Sequence, residues 1–134
     1  MGWFRKGSGF VAERECSMNV EYKPKLHRVD IHVSGSYRVD DGKYHLDNSN
    51  VPDFMRQAGR FFKPYTNVFI HVNSNCSVDS SAFLAAIMDL RMKQDAKVRP
   101  NIILDRENKD VANLYEMTSA GSEEFRRRPD FRLE

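Results

Sequence analysis

The sequence predicts a single α/β domain, and three observations carry that prediction. Short runs rich in β-branched residues alternate with longer runs of helical spacing. Val68 to Val72 reads as an apolar strand that crosses a polar loop to Asp79 and passes at once into an amphipathic run from Ser80 to Gln94. A second unit of the same kind follows, a buried-type strand at 101–104 and then another helical run. Strands alternating with helices favour parallel pairing, which is expected in the second half. At 134 residues one domain is the natural reading, and it should bury roughly 65–70% of the surface of its unfolded chain.

Residues 1–17 hold three glycines and mixed charge without a period, and read as a loose leader before a domain at 18–125. A short strand fits Asn19 to Tyr22. Apolar residues at Val29, Ile31 and Val33 alternate with polar ones, the mark of a half-buried strand, and Ser34-Gly35-Ser36 is expected to break it. Asp40-Asp41-Gly42 is a turn signal between Tyr37-Arg38-Val39 and Lys43-Tyr44-His45-Leu46, which predicts a small hairpin. Asn48-Ser49-Asn50 with Pro52 suits a helix start. Val51, Phe54, Met55, Ala58, Phe61 and Phe62 then fall on one helical face, and Lys63-Pro64-Tyr65 stops it.

In the helix from Ser80, the residues Phe83, Ala86, Ile87 and Leu90 share one side, while Asp89, Arg91 and Lys93 face elsewhere. Pro100 precedes the strand Asn101 to Leu104. Asn108 or Asp110 can cap a last helix carrying Val111, Leu114, Tyr115 and Met117, which Ala120-Gly121 ends. Ile70, Val72, Ile87, Leu90, Ile103 and Leu114 are the expected core. Residues 126–134, with Arg126-Arg127-Arg128 and Arg132, read as a basic tail.

Composition excludes several functions. A net charge of +2 is too small to argue for nucleic acid, and charge at the two ends reads as solvated termini. No apolar run approaches the ~20 residues a bilayer span needs, so no membrane insertion is expected, and no signal peptide is visible. Met1-Gly2 lacks the Ser or Thr that myristoylation wants at position six, where Lys6 stands. Cys16 and Cys76 form neither a disulfide framework nor a metal spacing, and a reducing cytoplasm suits them. His27, His32, His45 and His71 lack a tight ligand pattern, although His32 and His71 fit neighbouring strands. No metal and no cofactor are expected. Cys76 has no adjacent cation to activate it.

The informative segment is Val78-Asp79-Ser80-Ser81-Ala82-Phe83. It places hydroxyls where unpaired N–H groups and the helix dipole favour an acceptor or an added phosphate. On spacing alone this is an ordinary helix cap, worth ~1 kcal/mol. Together with the strand Val68-Phe69-Ile70-His71-Val72, the strand Ile102-Ile103-Leu104 and the run Val111 to Thr118, however, the segment resembles the STAS family, the domain of anti-sigma-factor antagonists and sulfate-transporter tails. The similarity runs from Asn67 to about Gly121. The N-terminal part matches loosely through Val29 to Gly35, and Tyr37 to Leu46 looks like an insertion. The family's Gly-Leu after the hydroxyl pair is Ala82-Phe83 here.

The resemblance implies a mixed sheet of four to five strands against three to four helices. It implies that Ser80 is the phosphorylated position, with Ser81 a secondary candidate and Asp79 the acidic residue before it. A serine kinase that doubles as an anti-sigma-factor-like partner would modify Ser80, a phosphatase would reverse it, and phosphate would break the complex. The implied footprint comprises Asp79, Ser80, Ser81, Ala82, Phe83 and Met88, with Phe83 and Met88 as apolar anchors where exposed. An accessory STAS subunit of a membrane transport system would share the fold without phosphorylation. Strand-loop-helix with Val72-Asn73-Ser74 has a distant likeness to ClpP-type peptidases and crotonases. Those folds need a base and glycine-rich oxyanion loops, and Asn75-Cys76 stands where glycines would be wanted, so catalysis is not expected.

Overall fold

The computed structural model describes residues 15–120 and 130–134. Seven strands and three α-helices follow in the order β1 (Ser17–Lys23), β2 (Arg28–Arg38), β3 (Lys43–Leu46), α1 (Val51–Ala58), β4 (Asn67–Val72), β5 (Cys76–Val78), α2 (Ala82–Met92), β6 (Asn101–Leu104), α3 (Lys109–Ala120) and β7 (Phe131–Leu133). All seven strands belong to one mixed sheet, ordered β5-β3-β2-β4-β6-β7, with β1 also on β2. The single α/β domain is therefore present, with β2, β4, β6 and β7 pairing in parallel and β1 and β3 antiparallel to β2.

Strand alternation explains where the core sits. Val29, Ile31 and Val33 of β2 lie in register with Val68, Ile70 and Val72 of β4, so all six point to one face. That face is covered by α1 and α2, whose Phe54 and Phe83 rings meet at 5.0 Å. Ile87, Leu90, Phe62, Ile102 and Leu104 complete the cluster. Of the expected core, Ile70, Val72, Ile87, Leu90 and Ile103 are buried, and Leu114 packs partly buried against the cluster. The opposite face carries Arg28, Asp30 and His32 beside Asn67, Phe69 and His71. A sheet that is apolar on one side and polar on the other is the usual consequence of covering one face.

Several expectations are corrected. Ser34-Gly35-Ser36 does not end β2, which runs on to Arg38. Gly35 takes φ of +83°, and a Cβ there would lie 2.5 Å from the carbonyl oxygen of His45. Glycine thus lets the strand run on past a close neighbour and pair with β3 through Ser36–Arg38. The loop before Asp79 contains a strand, β5, parallel to β3. Residues 131–133, read as tail, form β7, with Phe131 fully buried; residues 126–129 lie outside the described residues. Of the leader, residues 1–14 also lie outside them, and Ser17 already belongs to β1. Arg91 does not face solvent. It is 2% exposed and ion-paired to Asp130, so α2 holds the start of β7.

The hairpin is as expected. Gly42, at φ +68°, closes the turn by donating its N–H to the Arg38 carbonyl at 2.9 Å. Among the described residues no helix is long and apolar enough to cross a membrane.

Candidate functional site

Of the predicted site residues, Asp79, Ser80 and Ser81 sit on one rim of the sheet, where β3 and β5 end. The register Tyr44↔Cys76, His45↔Ser77 and Leu46↔Val78 sets His45 beside Ser77. One residue further on, the Asp79 N–H donates to the Leu46 carbonyl at 3.2 Å. Chain exit from β5 therefore delivers Asp79 and Ser80 next to the segment leaving β3. Asn108 secures the loop from beneath, donating to the carbonyls of Asn73 (2.8 Å) and Cys76 (2.7 Å) and accepting from Val111 N–H as the cap of α3. Asp110 accepts from the Val78 N–H at 3.0 Å.

Ser80 is half-buried and Ser81 exposed. The Ser80 hydroxyl donates to Asn48 Oδ1 at 2.9 Å and accepts from the Ala82 N–H at 3.1 Å, one of the unpaired donors at the start of α2. Asp79 makes no bond to the helix. Its Oδ1 accepts from the Ser77 hydroxyl at 2.8 Å, and its Oδ2 faces His45 Nδ1 at 3.3 Å.

The expected apolar anchors change. Phe83 is fully buried against Phe54, so its side chain is no part of any docking surface. Met88 is partly buried against the core. Ala82 is half-buried, and the solvent-facing stripe of α2 continues through Ala85, Asp89 and Met92, spaced as one helical face.

Sequence reading missed what surrounds Ser80. His45, 9% exposed, lies between two carboxylates, its Nε2 2.7 Å from Asp41 Oδ2 and its Nδ1 facing Asp79. Burial opposes charge on this imidazole, but Asp41 and Asp79 outweigh it and hold the pKa above its ordinary value. Asp47 stands alongside, bonded by Ser49 and by the Arg38 guanidinium. Burial works against its charge too, and those partners hold its carboxyl below the usual range. Fully buried Asn50 knits the segment together: it accepts from the Asp47 N–H (2.9 Å) and donates to the His45 carbonyl (2.7 Å) and to Ser36 Oγ (2.8 Å). Donor atoms of His45, Asp47 and Asp79 lie within 4.8 Å of one another. The turn signal at Asp40-Asp41-Gly42 was the sequence's one pointer, since a hairpin there returns His45 toward Asp41.

A second polar cluster occupies the polar face of the sheet, opposite the core. His71 stacks on His32 at 4.6 Å and bridges Asp30 and Asp105. Burial disfavours its charge, and the two carboxylates reverse that and raise its pKa. Asp30, 3% exposed, also takes Arg28 and Lys23. The paired Arg28 guanidinium is foremost in holding the Asp30 carboxyl far below the usual range, and burial only partly opposes it. The two thiols are inert: burial pushes Cys16 and Cys76 each up to about 12. No protein-family model matches the chain, and no curated protein matches it either.

Proposed function

We propose that this chain is a regulatory, protein-binding domain of the STAS type, working in the cytoplasm, whose partner binding is switched by phosphorylation at Ser80. The partner would be a serine kinase of anti-sigma-factor type, with a phosphatase to reset the switch. The observation that carries this reading is the setting of the Ser80 hydroxyl. It lies at a solvent-facing rim, at the start of an eleven-residue helix, in contact with that helix's first N–H.

Phosphorylation there has a direct physical consequence. The ester oxygen can no longer donate to Asn48, so the tie between the α2 start and the segment before α1 is lost. About −1.5 to −2 charges arrive in the middle of the exposed rim. The helix N-terminus tolerates that charge within the folded domain. A partner packed against a neutral hydroxyl, with Asp79 already beside it, does not. The reading is tested by capturing partners from the native cell with the wild-type chain and with Ser80→Asp, then measuring the affinity of whatever wild type retains. Loss of at least about tenfold, ~1.4 kcal/mol, with unchanged circular dichroism, is expected. Equal affinity for both chains would remove the switch.

A further inference from the structure

We propose that His45, Asp47 and Asp79 form a binding site for one divalent transition-metal ion, with Asp41 as the positioning residue behind the histidine. Three independent features of the rim lead there. The first is hydrogen-bond direction. Asp41 can only accept, so the Nε2 of His45, 2.7 Å away, carries the proton and donates it. The Nδ1 faces Asp79 Oδ2 across 3.3 Å, a gap that a proton on the ring or a metal ion can bridge. A metal ion there displaces the Nδ1 proton and takes the same two atoms as ligands.

Charge is the second feature. Asp41, Asp47 and Asp79 meet the Arg38 guanidinium on Asp47 and the Lys43 charge near Asp41, so once the ring gives up its proton to ligate, negative charge is left at the rim. That surplus favours a cation between the ligands.

Geometry is the third. Two donors on opposite sides of a zinc-sized ion stand about 4 Å apart, given metal–ligand distances of about 2.0–2.2 Å. Donors already gathered within 4.8 Å close onto such an ion through small side-chain motions. One imidazole with two carboxylates is a set for zinc or a neighbouring first-row ion, and not for calcium or magnesium, which take oxygen alone. A carboxylate on the far ring nitrogen is the arrangement that fixes a ligating histidine's tautomer and orientation. Asn50, holding the His45 carbonyl and the Asp47 N–H, keeps two of the three ligands at fixed spacing. The site stands apart from the switch reading, because its test involves neither a partner nor a phosphate.

The test is calorimetric titration of Zn²⁺ into the chelator-treated full chain. One equivalent should bind to wild type. Asp79→Asn, altered at a half-exposed side chain that the fold does not depend on, should abolish that binding, and Asp41→Asn should weaken it by about 10–100-fold. His32→Gln, on the other histidine cluster, should bind like wild type. Circular dichroism confirms that each variant is folded. Binding that survives Asp79→Asn, binding lost in His32→Gln, or no saturable binding to wild type, the result expected if a proton alone fills the gap, would each overturn the site.

Discussion

Two histidines in this domain each sit between two aspartates, and the difference between them separates structure from function. His71 bridges Asp30 and Asp105 from β4, stacked on His32. Its carboxylate Asp30 is also met by Arg28 and Lys23, so charge is compensated by side chains on adjoining strands. His45 bridges Asp41 and Asp79 from a four-residue strand. Its aspartates come from a hairpin turn and from the loop before α2, and the Arg38 guanidinium goes to Asp47 instead. The first cluster is closed. The second is open, short of positive charge, and next to Ser80. A pair of carboxylates around an imidazole says little by itself; the balance of charge and the stiffness of the supporting chain say what it does.

Removing the shared support should damage both clusters. Ile87, fully buried under α2, contributes to the core on which β4 and the Ser80 helix rest. Ile87→Ala should cost roughly 2–5 kcal/mol in chemical denaturation. A midpoint equal to wild type would show that α2 does not depend on this face.

The clusters should then part company. Asp30→Asn takes a charged acceptor from three donors inside the sheet and should cost about 1.5–3 kcal/mol. Asp79→Asn alters an exposed carboxylate on a loop and should stay within about 0.5 kcal/mol of wild type. Similar losses at both positions would mean that the rim is as structural as the sheet face. Gly35→Ala should act on the rim alone. With φ at +83° and the His45 carbonyl in the way, about 1–3 kcal/mol of strain is expected. Histidine NMR signals should move at His45 and stay in place at His71.

The smallest effect is the pH dependence of His71. Its folded pKa lies above the unfolded value of about 6.5. The protonated ring therefore adds stability that is fully present below about pH 6.5 and is lost as pH rises through the higher folded value. The stability difference between wild type and His71→Gln should shrink across that interval. A difference that grows with pH would reverse the assigned sign.

What the sequence disclosed follows from how local each signal is. The hairpin at 40–42, the strand Asn67–Val72 and the helix bearing Ser80 rest on neighbours within a few residues, and all three are present. β5 was hidden because three residues after Asn73-Ser74-Asn75 are too few to show a period. β2 was cut short because Gly35 reads as a breaker, whereas here it lets a strand continue past a close neighbour. Arg91 reads as a surface residue in the sequence because its burial depends on Asp130, 39 residues away. The rim around Ser80 was half visible. Asp79 and Ser80 announced themselves as a helix start, while His45 and Asp79 are 34 residues apart and meet only through the β3–β5 pairing that sequence reading missed.

The central claim is that this protein acts through the open rim and not through the closed sheet face. The most direct test measures the affinity of a captured partner for three chains: wild type, Ser80→Asp and His32→Gln. The account predicts at least a tenfold loss, about 1.4 kcal/mol, for Ser80→Asp, with no change for His32→Gln. Loss of binding in His32→Gln with Ser80→Asp unaffected would contradict it.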